Sequence, residues 1–238
     1  MIVALTVGGK RPVLGGFGKA IEGSVALNFA TSGGKNCATT CRLHPDNGGA
    51  CYAAAAENSW NRRQLLAKLQ RHESTDPAVL VDHAIREVKE SRNPIPWFRF
   101  SSFGSVPMEA PGNFRTLVAL LVGMNIPIHL PVESEGKANH YRKVLSGLPV
   151  AVRESISDPS RWTTATGPVS IVAGNMAMSK PYRIRYAKNV ASARSAATGR
   201  KTIVCPAVAS KRGNDKAKCG SCTACSRTDI DIVYPMHK

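Results

Sequence analysis

The chain has 238 residues, 43% of them hydrophobic, with 32 Lys and Arg against 16 Asp and Glu, a formal charge of +16. That is enough apolar content for a real core in one domain, or one domain with an appendage. No apolar run approaches the roughly 18 residues of a membrane span, and no charged-then-apolar leader precedes a small-residue cleavage site, so neither a membrane protein nor a secreted one is expected.

Residues 1–23 are glycine-rich, with Val7-Gly-Gly-Lys10 and Leu14-Gly-Gly-Phe-Gly18. No Gly-Lys-Ser/Thr follows, so a phosphate-binding P-loop is not supported and a hairpin or irregular lead-in is expected. Val25–Ala30 then reads as a first strand. Asn58–Glu73 reads as a helix with Trp60, Leu65, Leu66 and Leu69 on one face. Ser74-Thr-Asp76 before Pro77 is a helix start, and Val79–Ser91 continues it. Pro96–Phe100 is a strand, Pro111–Met124 an apolar helix, Ile126–Leu130 a strand and Lys137–Leu145 a helix. Val150–Arg153 and Val169–Val172 are strands, Tyr186–Ala197 is a weak helix, and Thr202–Val204 is the last strand.

Short apolar runs alternating with helices imply βαβ units and a parallel sheet covered on both faces. Six such strands, with no Gly-x-Gly-x-x-Gly turn after the first, favour an α/β fold of the partial (βα)6 barrel type over a doubly wound sheet. Residues 1–204 would form the barrel, and residues 205–238 a Cys-rich, basic C-terminal extension packed on it. Chemistry in such barrels sits at the carboxyl ends of the strands. That rule selects Ser101, Ser102 and Gly104, then Glu133, Glu154 and Asn175, as the polar lining of a mouth. Each alone is an ordinary loop residue; the shared placement is what singles them out.

All seven cysteines fall into two sets. Cys205-Pro206 precedes Cys219-Gly-Ser-Cys222-Thr-Ala-Cys225, a run at two-residue gaps plus a remote Cys-Pro. A tetrahedral zinc site takes two Cys-x-x-Cys hooks, or one hook and two histidines. A cubane accepts a Cys-x-x-Cys-x-x-Cys run with a remote cysteine, often before proline. Cys205, Cys219, Cys222 and Cys225 are therefore read as the thiolates of one [4Fe–4S] cluster, with structural zinc and labile surface thiols as the alternatives. Cys37-Ala-Thr-Thr-Cys41, followed by Cys51-Tyr52, is the second set, whether it holds a second cluster or shares the first. The odd count and the spacing fit metal better than disulfides, so a reducing cytoplasm is expected.

The histidines carry less. His44, between Cys41 and Cys51, is a candidate fourth ligand; His129 lies in a strand beside prolines and reads as a hydrogen-bonded core or mouth residue. His72, His83 and His140 fall on helix faces, and His237 follows the cysteine run.

The charge is concentrated. Between Lys180 and Arg227 lie Arg183, Arg185, Lys188, Arg194, Arg200, Lys201, Lys211, Arg212, Lys216 and Lys218, opposed within that span by Asp215 alone. Charge balance around a four-thiolate cluster would use two or three cations, so the excess points to a polyanion, nucleic acid first. Arg183, Arg185, Lys188, Arg200, Lys201, Lys211, Arg212, Lys216 and Lys218 are the candidate contacts.

Cys37-x-x-x-Cys41 directly after the first strand of a six-fold βα barrel resembles the radical S-adenosylmethionine enzymes, which use Cys-x-x-x-Cys-x-x-Cys. The chain departs from that pattern at Cys51, which follows nine intervening residues, with Tyr52 as its aromatic neighbour. A closer resemblance is to the gene product 88 family of tailed phages and mobile elements. It is carried by Cys37/Cys41 and Cys51-Tyr52, Phe98-Arg99 with Gly104, the Cys219/Cys222/Cys225 run and the Tyr234-Pro-Met-His237 ending. Ser105 stands where that family often has Asp. The resemblance implies iron–sulfur binding and a radical-SAM-like barrel, and little about substrate.

Two main function classes follow, with an electron-transfer or redox-sensing protein, in which cluster loss changes DNA affinity, as a third. One is an iron–sulfur protein, stapled by one or two clusters, that binds nucleic acid through its basic surface as a subunit of a nucleoprotein complex on a mobile element; zinc in place of iron gives a variant of the same reading. The other is an enzyme in which Cys37, Cys41 and Cys51 hold a cubane with an open iron for S-adenosylmethionine, the other cluster being auxiliary.

Overall fold

A computed structural model of the chain describes residues 3–7, 25–29, 77–90, 95, 97–100, 106, 108–174, 177–209 and 222–235. The strands are β1 (Val3–Val7), β2 (Val25–Phe29), β3 (Phe98–Phe100), β4 (Ile128–Val132), β5 (Val152–Ile156), β6 (Val169–Ala173), β7 (Lys201–Val204) and β8 (Ile230–Pro235). The helices are α1 (Pro77–Glu90), α2 (Pro111–Gly123), α3 (Glu135–Val144), α4 (Lys180–Thr198) and the single turn α5 (Pro206–Ala209). The strands form one sheet in the order β1-β2-β3-β4-β5-β6-β8-β7. β1 runs antiparallel to β2, and every other pairing is parallel, so the fold is α/β.

Local chemistry sets the helix limits. Ser134 caps α3, its hydroxyl accepting the Lys137 N–H, with Glu135 in the first turn and Arg142 and Lys143 in the last, matching the helix dipole. α4 has proline in its first turn and ends on Gly199, whose left-handed backbone (φ 67°) closes the helix.

Strand alternation divides the sheet into two faces. On one, Phe98, Phe100, Ile128, Leu130, Val132 and Val152 pack against Val81, Ala84 and Val88 of α1, Phe114, Leu117 and Leu121 of α2, and Ala138 and Tyr141 of α3. The same face continues through Ile156, Val169, Ile171, Ala173 and Val233 against Ala187, Val190 and Ala191 of α4. The intervening residues Arg99, His129, Arg153, Ser170, Ile230, Ile232 and Tyr234 belong to the opposite face.

From β2 to β6 the strands lie in chain order, so right-handed crossovers set α1, α2 and α3 on one side, where α4 packs as well. β7 then skips a place and β8 returns to fill the gap between β6 and β7. That reversed step sends the β7–β8 connection across the other face. The turn at Ala224–Ser226 accordingly meets β4, which lies beyond both β5 and β6 from β8.

Residues 230–235, inside the expected C-terminal extension, form an interior strand paired with β6 along Ser170–Ala173 and with β7 along Lys201–Val204. β8 escaped the pattern reading because Asp231 interrupts its apolar run and Pro235 ends it. Asp231 is fully buried, and its Oδ2 accepts from Arg194 Nε of α4 at 2.9 Å. Its Oδ1 accepts from the Val169 N–H at 3.1 Å and Arg200 Nε at 3.2 Å. Arg194, also fully buried, donates further to the Ala165 and Trp162 carbonyls at 2.7 and 3.0 Å.

Other boundaries moved less. β4 and β5 begin two residues later than their apolar runs, after Pro127 and Ala151. α4 begins six residues before the expected Tyr186. The helix expected over 58–73 lies outside the described residues.

Candidate metal centre

Cys205 follows β7 directly, and its N–H donates to the Val233 carbonyl at 2.8 Å, continuing the ladder to β8 for one more residue. Pro206 opens α5, where the missing proline N–H costs nothing. The chain re-enters the description at Cys222, turns through Thr223 in the left-handed region (φ 45°), and forms a 3₁₀ turn at Ala224–Ser226. Cys205, Ala224, Ile230 and Ile232 make one buried cluster, with Ile203, Cys222, Cys225 and Tyr234 packed against it. Three of the four cysteines expected to act together thus share one apolar cluster. Cys225 Sγ lies 2.9 Å from the Tyr234 hydroxyl.

Arg153 of β5 holds this turn. Its side chain is fully buried, and its five N–H groups are all engaged by main-chain carbonyls. Nε donates to Cys225 at 2.8 Å; Nη1 donates to Ile230 at 3.0 Å and Val169 at 3.2 Å; Nη2 donates to Ala224 at 3.3 Å and to Arg227. A guanidinium can be buried without a carboxylate partner only when carbonyl dipoles replace its hydration in this way.

The same guanidinium shapes the electrostatics. Burial pushes the Cys225 thiol up, opposed by the Tyr234 hydrogen bond and then by the charges of Arg153 and Arg99. Burial pushes Tyr234 well above the usual phenol range, and the neighbouring Cys225 and Cys205 add to that. Burial holds His129 well below the usual imidazole range, assisted by Arg99 and Arg153. His129 Nε2 is buried and has no hydrogen-bond partner among the described residues.

Among the described residues, no three His, Cys, Asp or Glu side chains stand close enough together to hold a metal ion. Cys219, the fourth expected thiolate, lies outside those residues, as do Cys37, Cys41 and Cys51. What is described fits a thiophilic group by its chemistry: soft sulfur donors, an apolar lining, a hydroxyl beside one sulfur, and two guanidiniums able to offset thiolate charge.

The expected mouth is only partly described. Ser101, Ser102, Gly104 and Asn175 lie outside the described residues. Glu133 pairs with Lys137 at 2.5 Å, one turn into α3. Glu154 alternates with Arg153 onto the helix-bearing side, is buried, and pairs with Arg161, which also reaches Glu135 at 3.0 Å.

The basic residues divide likewise. Arg183 and Arg194 are buried. Arg200 is committed to Asp231 and to the Thr228 carbonyl at 2.7 Å. Arg185, Lys188 and Lys201 are exposed. Lys211, Arg212, Lys216 and Lys218 lie outside the described residues. Sequence reasoning passed over Arg153 and Tyr234 as site residues. Arg153 carried one signal, an arginine inside the apolar run Val150-Ala-Val-Arg153 that feeds an interior strand.

No described helix is long and apolar enough to cross a membrane. No family model matches the chain, and no curated protein and no solved structure is significantly similar to it.

Proposed function

We propose that the chain is an iron–sulfur protein that binds nucleic acid, with a [4Fe–4S] cluster held by Cys205, Cys219, Cys222 and Cys225 on the sheet face opposite the helices. The observation that supports this reading is that Cys205, Cys222 and Cys225 share one apolar cluster beside a turn clamped by Arg153, although the three do not stand close enough together in this structure to hold one metal. Cys205 comes from the end of a strand and Cys222 and Cys225 from the return connection, so a shared group would bridge segments distant in sequence. When bound, such a cluster supplies a covalent staple and a one-electron couple. The chain's own contribution is to exclude water around the sulfurs and to place positive charge beside them. The nucleic-acid half of the reading rests on the +16 charge.

The test is iron, sulfide and zinc content on protein purified without oxygen, with its absorbance spectrum. Four irons and four sulfides per chain, lost in Cys205→Ser and Cys222→Ser, are expected. Zinc without sulfide sinks the cluster and leaves a zinc-stapled binder.

A second reading draws on the chain-ordered parallel strands β2 to β6, which suit a radical-SAM-like partial barrel. In it, Cys37, Cys41 and Cys51 hold a further cluster open to S-adenosylmethionine. Eight irons per chain and a spectral change on adding S-adenosylmethionine would favour it; four irons and no change would remove it.

A further inference from the structure

The outer surface of α4 is basic and aromatic together. The helix contains no acidic residue over its whole length, Lys180–Thr198. Its buried stripe is Arg183, Ala187, Val190, Ala191 and Arg194. On the outside stand Tyr182, 68% exposed, Arg185 and Lys188, three residues apart along one stripe, with Tyr186, 37% exposed, on its flank. Tyr186 in turn meets Trp162 edge-on, ring centroids 6.0 Å apart. Neither Arg185 nor Lys188 forms an ion pair with a described residue. The other half of the helix exposes only small residues (Ser192, Ala193, Ala196, Ala197), leaving room for a bulky ligand to lie along it.

A large exposed tyrosine has no folding reason to stand beside cations on a helix that already buries its other stripe. Cations one turn apart match successive phosphates, and an aromatic face beside them matches an unpaired base. A duplex offers phosphates but keeps its base faces stacked inside. We infer that the Tyr182/Arg185/Lys188 stripe of α4 binds single-stranded nucleic acid, Arg185 and Lys188 contacting phosphates and Tyr182 stacking on a base. This rests on the nucleic-acid reading above and names the surface and strandedness within it.

The experiment uses the full chain and fluorescence anisotropy with a labelled 20-nucleotide single strand and a duplex of the same length, at several salt concentrations. The single strand should bind tighter than the duplex. Tyr182→Ala should weaken single-strand binding about tenfold while leaving duplex binding unchanged. Arg185→Ala with Lys188→Ala should weaken both and reduce the single-strand salt slope by about 0.7 for each phosphate left without its cation. All three side chains are exposed, and unchanged circular dichroism melts would certify the variants as folded. If the wild-type chain binds single strands but none of these variants differs from it, this surface is wrong while the nucleic-acid reading stands. Duplex preference, or a Tyr182→Ala loss equal on both ligands, overturns the single-strand assignment. If the wild-type chain binds neither, both inferences fall together.

Discussion

Arg153 Nε donates to the Cys225 carbonyl at 2.8 Å, joining residues 72 positions apart. The bond places a permanent charge from an interior strand under the turn that carries two cysteines. Because the guanidinium grips main-chain carbonyls, the turn is held whether or not its thiols are occupied. The site is therefore built into the sheet, and thiolate charge developing at Cys225 would meet a cation already in place.

Arg153→Met should cost on the order of 3 kcal/mol or more, since several carbonyls in and around the turn lose a charged donor. Urea unfolding gives the number. Metal content per folded chain should fall as well, because Cys222 and Cys225 lose their anchor. Arg153→Lys keeps the charge but not the fork and should recover only part of either. Full metal loading in Arg153→Met would show that the thiols find their positions without the clamp.

The parallel α/β plan was legible because apolar runs such as Val169–Ala173 report burial on both faces, and capped starts such as Ser134 report helices. The thiol site was legible only as a list of cysteines. Its location depended on β8, whose buried Asp231 reads as a surface residue until Arg194 is known to sit beneath it. Arg194 and Arg183 for their part read as surface charge, since helix α4 is so polar that no apolar stripe announces which side is buried. Placement at a strand end likewise does not say which face a side chain takes, and alternation turns Glu154 toward Arg161. Long-range pairs of this kind leave no periodic trace in the chain.

Arg194 and Asp231 are both fully inaccessible and fasten α4 to β8. Asp231→Leu or Arg194→Met should each destabilise the fold by about 3–5 kcal/mol, because the remaining partner is left charged and buried. Arg194→Met combined with Asp231→Leu should recover part of that loss, as Arg200 is partly exposed and can return to water. A double-mutant cycle by denaturant unfolding measures the coupling; strictly additive losses would mean the two charges do not depend on each other.

Acid should weaken the protein through His129. Its imidazole is held below the ordinary value of about 6.5 by burial first, then by Arg99 and Arg153. A depressed histidine binds its proton more readily in the unfolded chain. Its contribution is therefore fully present above about pH 6.5 and is lost as pH falls below that toward the folded value. Unfolding free energy should drop between pH 7.5 and 5.5 more steeply in the wild-type chain than in His129→Asn. Carboxylates and the other histidines are common to both proteins, so equal slopes would remove His129 as the source.

Tyr234 distinguishes a neighbour of the sulfur from a ligand. Its hydroxyl lies 2.9 Å from Cys225 Sγ, and it is packed against the same cluster. Tyr234→Phe keeps the ring and removes only the hydroxyl, so stability should fall by about 1 kcal/mol and iron and sulfide content should stay at the wild-type level. Hydrogen bonds to cluster sulfurs favour the reduced, more negative state, so losing this one should lower the midpoint potential. Cys225→Ser, by contrast, should lose iron and sulfide outright. If Tyr234→Phe empties the site as Cys225→Ser does, the hydroxyl is needed to hold the group. If its potential and spectrum match the wild type, the Cys225 sulfur is not bonded to the cluster.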